Sequence, residues 1–323
     1  MSRCSTSRSE SCAVTAMAVD DPVLILAFNR PDHLQRLITR LREVRPSRVY
    51  LAVDGPRVDR VSEHDAVMEC RRSVEGINWP CSIETLFQDE NLGCGLGVAT
   101  AVSWFLSHEE RGIILEDDIL PDVSFFPFCS ELLERYANNP KVFAISGCNY
   151  VPPEAMTSTG AYRFSRVPHI WGWATWRRSW ASHDLDIRDW RRRLPAKHLW
   201  RSGGRSLGGF AYWTSTFELL ARKQVDTWDG QLVLASMAAD QWTATSNVNL
   251  VENLGFGSEA THTVRRPDYL RAVEAIKVPT EAVPVVVDER ADAWTRRYHF
   301  GATVPGFAAQ ATRYLRRRLG RTH

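Results

Sequence analysis

The sequence predicts an α/β fold: a mostly parallel central sheet flanked by helices. Two observations carry this expectation. From Pro22 onward, short apolar runs alternate with stretches whose apolar residues recur at helical spacing, the pattern of successive βα units. The clearest run, Gly112 to Leu115, ends on three consecutive carboxylates, Glu116, Asp117 and Asp118. A buried parallel strand reads this way, and in open α/β sheets ligands collect beyond the carboxyl ends of the strands.

Val23 to Phe28 is the first strand, and Leu34, Leu37, Ile38 and Leu41 follow at the i, i+3, i+4, i+7 spacing of an amphipathic helix. Val49 to Val53 is the second strand, closed by the turn signal Asp54-Gly55-Pro56. Ala66, Val67, Cys70 and Val74 mark the next helix and Ile83 to Phe87 the third strand. After Gly93-Cys94-Gly95-Leu96-Gly97, the stripe Val98, Val102, Phe105, Leu106 leads into the acid-tipped strand. Phe125, Phe126, Cys129, Leu132, Leu133 and Tyr136 share a helical face, and Val142 to Ile145 is a further strand. Residues 22 to about 147 thus hold four or five parallel strands.

The second half is rich in tryptophan, and Gly203, Gly204, Gly208 and Gly209 read as a flexible loop. Trp173, Trp176 and Trp180 stand at i, i+3, i+7, compatible with a buried helical stripe. Residues 1–21 read as a disordered leader with Met17 a candidate start, 22–265 as one domain divided near 147, and 266–323 as a tail with a terminal basic helix. That helix, Tyr314 to Leu319, reads as solvated, with peripheral membrane contact as the most it offers.

A net charge of +2 and 24% charged residues favour no nucleic-acid partner. No apolar run reaches the roughly 18 residues of a membrane span. Seven cysteines without metal-type spacing suit reduced thiols and a cytoplasmic setting.

Three adjacent carboxylates repel one another and raise each other's pKa unless a cation balances them. Mg²⁺ or Mn²⁺, held by one or two carboxylates together with substrate phosphates, satisfies such a cluster. The plainer reading makes Asp122 a helix cap and the other acids solvated. Asn29-Arg30-Pro31-Asp32 and Asp54 fall at the tips of the first two strands, facing the same crevice, where an arginine can pair with phosphate and a carboxylate with a base or ribose. The glycine run is neither a dinucleotide fingerprint nor a P-loop, because its spacing is G-x-G-x-G and no Lys-Ser/Thr pair follows. A tight turn that lets a ligand approach, at Gly95 for example, remains.

Taken in order, Asn-Arg-Pro after the first strand, Asp-Gly after the second, a Gly-rich segment before a helix and Leu-Glu-Asp-Asp resemble nucleotide-sugar glycosyltransferases of the GT-A, Rossmann-like fold. Within that group the chain is similar to bacterial relatives of the Golgi N-acetylglucosaminyltransferase I family, over residues 22–265. The resemblance implies that 22–147 binds the nucleotide sugar and 148–265 the acceptor. It implies Asp118 as metal ligand, Glu116 and Asp117 as donor contacts, Asp54 at the base, and Asn29 and Arg30 on the uridine side. Thr227-Trp228-Asp229-Gly230 resembles the segment that supplies the general base, which makes Asp229 the candidate; helix capping is the competing role. Trp171, Gly172, Trp173 and Trp176 fall in a segment resembling the loop beside sugar and acceptor, and His169 with them reads as structural. Asn253 to His262 resembles the segment that closes over the diphosphate, with His262 near the metal.

The implied activity is metal-dependent, inverting transfer of GlcNAc or a related hexose from a UDP-sugar to a glycan, lipid-linked or small-molecule acceptor. A sugar nucleotidyltransferase and a non-catalytic carbohydrate- or nucleotide-binding protein are the alternatives.

Overall fold

The computed structural model describes residues 19–256 and 266–303. The first βα units form where the apolar periods place them: β1 (Val23–Ala27), α1 (Pro31–Val44), β2 (Arg48–Val53), α2 (Val61–Arg72), β3 (Ser82–Phe87), α3 (Gly93–His108) and β4 (Arg111–Glu116). Then come β5 (Ile119–Pro121), α4 (Phe125–Arg135), β6 (Val142–Ser146), β7 (Tyr162–Ser165), β8 (Trp173–Trp176), β9 (Trp242–Ser246) and β10 (Val251–Asn253).

Eight strands make one sheet in the order β3-β2-β1-β4-β8-β6-β9-β7, and β5 pairs with β10 in a small antiparallel ribbon. β1, β2, β3 and β4 run parallel, as do β6 and β9. β8 lies antiparallel between β4 and β6, and β7 antiparallel beside β9. Five strands of residues 22 to 147 therefore point the same way, as their sequence predicts, but β8 is threaded between the fourth and fifth.

Alternation along the strands divides the core into two layers. Val23, Ile25, Val49, Leu51, Ile113 and Leu115 face α1, α2 and α4. Leu24, Leu26, Tyr50, Ala52 and Ile114 face α3 and the helix Asp229–Ala238. The helix Leu207–Ala221 packs with the latter in a third cluster around Trp190, Trp213 and Phe217.

Three expectations change. Trp173 and Trp176 belong to β8 rather than to a helix, and an offset of three sends them to opposite faces of the sheet. The second-half glycines mark close packing instead of a flexible loop. A Cβ on Gly208 would lie 2.6 Å from the Ala302 carbonyl oxygen, and one on Gly209 2.0 Å from that of Gly203. Residues 266–303 form a strap rather than a tail. Arg135 donates to the carbonyls of Pro279 and Glu281, Asp288 accepts from the N–H groups of Thr157 and Ser158, and buried Asp292 accepts from the Ser165 hydroxyl. Polar side chains gripping backbone hold this strap, so no apolar period announces it. The terminal basic helix lies outside the described residues. Among the described residues no helix is long and apolar enough to cross a membrane.

Candidate functional site

Because β1 and β4 are parallel neighbours, their carboxyl ends open on the same edge. The Asp117 N–H donates to the Leu26 carbonyl at 2.8 Å, which carries the ladder one residue past β4, and the Phe28 N–H reaches Asp117 Oδ2 at 3.3 Å. Arg30, beyond the tip of β1, places Nη1 2.7 Å from Asp118 Oδ2 and 3.7 Å from Asp117 Oδ1. The sequence-predicted residues Arg30, Glu116, Asp117 and Asp118 are thus brought together, and Asn29 is half-buried beside them. Burial, then repulsion from Asp118 and Asp117, pushes the Glu116 carboxyl well above the usual range. Asp117 is raised in the same way by burial and by Asp118, with Arg30 opposing. One guanidinium does not balance three carboxylates.

The glycine run meets carboxylates of the chain itself. Asp54 accepts from the N–H groups of Gly55 and Leu92, both at 2.9 Å, from that of Gly93 at 3.2 Å, and from Asn91 Nδ2 at 3.0 Å. Burial raises its carboxyl while the three backbone donors pull it down. Asp226 accepts from the Cys94 N–H at 3.1 Å and the Gly95 N–H at 3.0 Å. Two anions therefore satisfy the amino end of α3 and its partial positive charge. Gly93 has φ +79°, and Cβ atoms on Gly93 and Gly95 would lie 2.7 and 2.5 Å from the Asp226 oxygens. A Cβ on Gly97 would lie 3.3 Å from Asp54 Oδ2. The spacing of the glycines is thus accounted for by Asp54 and Asp226, and Asp54 is engaged with the loop rather than pointing free.

Asp229 opens the helix Asp229–Ala238, its Oδ1 accepting from the Gly230 N–H at 2.7 Å and from the Thr227 hydroxyl. It lies within electrostatic reach of Glu116, whose pKa it raises. The preceding Trp228 is buried and stacks on Trp173 with centroids 5.5 Å apart, and its carbonyl meets His183 Nε2 at 3.1 Å. This packing anchors the segment that carries Asp229. Cys94 sits among the acids: burial first, then Glu116, Asp226, Asp229 and Asp54, pushes its thiol up to about 12.

On the other side of the acids, β10 pairs with β5, and the Leu254 N–H donates to the Asp118 carbonyl at 2.7 Å. A cavity of about 250 Å³ opens there, lined by Tyr150, Trp171, Asn253, Phe256, Arg266 and Arg271 among others. Trp171 meets Tyr150 and Phe256 edge-on at 5.5 and 5.8 Å. Of the four residues expected beside sugar and acceptor, only Trp171 lines this cavity. Gly172 is packed against Val251 and Phe125, while Trp173 and Trp176 are buried at 1% and 4% exposure, with no ring face left for a sugar. Trp176 donates to the Leu133 carbonyl and lies under Arg178, a core role. His169 is structural, buried beside Tyr150 and held neutral by burial. His262 lies outside the described residues.

Asp226 escapes sequence reasoning, and Thr227 and Cys94 enter it only as members of the two segments, with no role of their own. Only the repeated short spacing of the glycines hints that a large polar group must come close, and nothing local says that it comes from more than 130 residues away.

No family model matches the chain, and no curated protein matches it. Among solved structures it is similar to HddC from Yersinia pseudotuberculosis, at 11% identity and TM-score 0.32, over 49% of this chain and 77% of that one. The same protein complexed with GMP-PN aligns over the same shares at 10% identity and TM-score 0.32. A proposed glucose-1-phosphate thymidylyltransferase from Bacillus anthracis, in complex with a sucrose, aligns over 50% of this chain and 73% of that one, at 11% identity and TM-score 0.30. The α/β class rests on this chain's own strand order.

Proposed function

We propose that the chain is a metal-dependent, inverting glycosyltransferase that moves a hexose, GlcNAc or a close relative, from a UDP-sugar to an acceptor hydroxyl. The observation that carries this reading is the convergence at one strand tip of Glu116, Asp117, Asp118 and Arg30, with Asp229 in electrostatic reach from a different element. Among the described residues no three acidic, histidine or cysteine side chains are arranged to hold an ion by themselves, so Mn²⁺ or Mg²⁺ would be held only together with the donor diphosphate. Such ions take one or two protein carboxylates and fill the rest of the shell with phosphate and water, and carboxylates raised by burial and then by mutual repulsion favour a cation. Asp118 would hold the ion, which supplies charge neutralisation at the departing diphosphate.

Arg30 then shifts from Asp118 to the diphosphate, an exchange of one anionic partner for another. Glu116 and Asp117 accept from hydroxyls of the donor. Oδ1 of Asp229 is occupied by Thr227 and Gly230, which fixes the carboxylate and leaves Oδ2 to take the acceptor proton. As the acceptor oxygen bonds to the anomeric carbon, its proton passes to Asp229, the anomeric C–O bond breaks, and that electron pair leaves with the diphosphate. Trp171 gives the 250 Å³ cavity an apolar wall suited to one sugar ring.

Titration of wild type and Asp118→Ala with UDP-, TDP- and GDP-sugars, with and without Mn²⁺, tests the reading. Metal-dependent binding of one donor, lost in the variant, is expected. Binding of no donor, or undisturbed metal-dependent binding in the variant, overturns it. Formation of a nucleotide sugar from a nucleoside triphosphate and a sugar 1-phosphate would assign the site to nucleotidyl transfer instead.

A further inference from the structure

The cavity of about 250 Å³ beside the acids is lined by two arginines, Arg266 and Arg271, for which the donor reading has no use. Neither forms a salt bridge among the described residues. Glu252 lines the cavity with them, so the three side chains leave positive charge in excess.

The segment that carries the arginines is anchored. Buried Asn249 donates through Nδ2 to the carbonyls of Val251 at 2.8 Å and Arg271 at 3.1 Å, and its own carbonyl accepts from the Glu274 N–H at 2.8 Å. Between the two arginines, the Tyr269 hydroxyl meets His299 Nδ1 at 3.0 Å, and its ring packs edge-on against Tyr150 and Trp294 with centroids 6.1 and 5.8 Å away. Backbone bonds and Tyr269 therefore fix this wall, and neither guanidinium is spent in holding it.

The rest of the lining is largely apolar and adjoins the acids. Trp171 and Phe256 meet edge-on at 5.8 Å. Phe256 follows Gly255, where an added Cβ would clash with Asp118 Oδ2, and the Leu254 N–H donates to the Asp118 carbonyl at 2.7 Å. The segment from Asn253 to Phe256 thus separates the cavity from the crevice that would hold the metal. A volume of about 250 Å³ lies below the span of about 300–1,000 Å³ that drug-sized ligands occupy, which suits one ring with a substituent and excludes an oligosaccharide.

Aromatic side chains receive the C–H side of a sugar ring, while two planar, permanently charged guanidiniums match the paired oxygens of a carboxylate or phosphate. A neutral sugar would leave both guanidiniums unanswered. The arginines also offset the repulsion that the neighbouring carboxylates exert on an anionic ligand. We propose that this cavity is the acceptor subsite and that it selects an acidic sugar residue, a hexose ring whose carboxylate or phosphate is held by Arg266 and Arg271. The assignment as acceptor rests on the proposed transfer reaction, whereas the preference for an acidic ring rests on the cavity alone.

Ligand-observed NMR titration of the full chain with methyl glucoside, methyl glucuronide and a methyl glucoside phosphate, without nucleotide or metal, tests the proposal. One of the acidic rings is expected to bind about tenfold or more tightly than the neutral ring, the factor that a hydrogen bond to a charged group supplies, and the tighter of the two identifies the acid. Arg266→Gln and Arg271→Gln should each weaken the acidic ring about tenfold and leave the neutral ring within about twofold. Arg271→Lys, which keeps the charge but loses the fork, should recover part of the loss. The control Arg72→Gln removes an exposed charge on α2 and should change none of the three affinities. Binding of no ring, equal affinity for acidic and neutral rings, an acid preference that survives both glutamine variants, or the same loss in Arg72→Gln overturns the proposal. Weaker metal-dependent UDP-sugar binding in either glutamine variant would assign the arginines to the donor and overturn it as well. Because the titration contains neither nucleotide nor metal, failure of the donor reading leaves its result unchanged, and absence of an acid preference leaves the donor reading standing.

Discussion

Gly95→Ala should have opposite effects depending on whether Asp226 is present. In wild type the new Cβ would lie 2.5 Å from Asp226 Oδ1 and 3.2 Å from the Thr227 carbonyl oxygen, so the carboxylate must withdraw. Withdrawal breaks its bonds to the Cys94 and Gly95 N–H groups. Loss of a carboxylate cap costs about 1 kcal/mol. Alanine in place of a helical glycine returns about 0.5–1 kcal/mol, so the single variant is neutral at best and carries any residual strain. Asp226→Ala costs the cap by itself, about 1 kcal/mol, or about 2 °C in Tm for a chain of this length. In that background the 2.5 Å clash is gone and only the 3.2 Å approach to the Thr227 carbonyl remains, so adding Gly95→Ala should stabilise by up to about 0.5–1 kcal/mol. The double variant is then about 1 kcal/mol better than additivity predicts. Urea denaturation of the four proteins measures the cycle. If Gly95→Ala has the same effect in both backgrounds, Asp226 does not set the glycine requirement and the account of the α3 amino end is wrong.

Three further outcomes are expected. Trp173→Ala should cost about 3–5 kcal/mol of stability, since the ring is buried against Trp228, whereas Trp171→Ala should stay within about 1 kcal/mol; equal losses in denaturation would show that Trp171 is also core. Asp229→Asn should lower kcat by about 10²–10⁴-fold with donor affinity unchanged, and a parallel loss of donor binding would remove it as the base. Glu116 has its folded-state pKa raised by burial and by Asp118, so over the interval above the ordinary glutamate value of about 4.3 the folded state binds more protons than the unfolded one. Stability of the free protein should therefore fall as pH rises through that interval, and Glu116→Gln should flatten the fall; denaturation midpoints from pH 5 to 8 that do not differ between the two proteins would refute this.

The first half of the fold was legible because each element there follows a single local rule. Leu34, Leu37, Ile38 and Leu41 bury one side of α1, and Val49 to Val53 is buried throughout, so period and burial agree. The second half obeys long-range constraints. Trp173 to Trp176 is a strand only because β4 and β6 leave a slot between them, and its three-residue tryptophan spacing then imitates a helix. Gly208 and Gly209 look flexible in sequence because the carbonyls of Ala302 and Gly203 that crowd them are specified elsewhere. The acids of the crevice were legible because they end an apolar strand. Asp226 was not, because it lies in a loop whose meaning depends on α3, more than 130 positions earlier.

The crevice of the free protein is paired with itself on both sides. A helix end that could receive an anion is occupied by Asp54 and Asp226, and an acid that could receive a cation is occupied by Arg30. Under the proposed function, a metal–diphosphate entering such a site would exchange ion pairs instead of creating them, so the desolvation cost of bringing new charges together would be largely met before binding. The two sides differ in mobility. Arg30 is a single long side chain that can swing from Asp118 to a phosphate without moving backbone. Asp226 belongs to the exposed loop that leads directly into Thr227, Trp228 and Asp229, so any displacement of its carboxylate from α3 is transmitted along three residues to the candidate base. Stacking of Trp228 on Trp173 resists that displacement, so the proposed donor binding would exchange partners at Arg30 and leave the Asp226 cap in place.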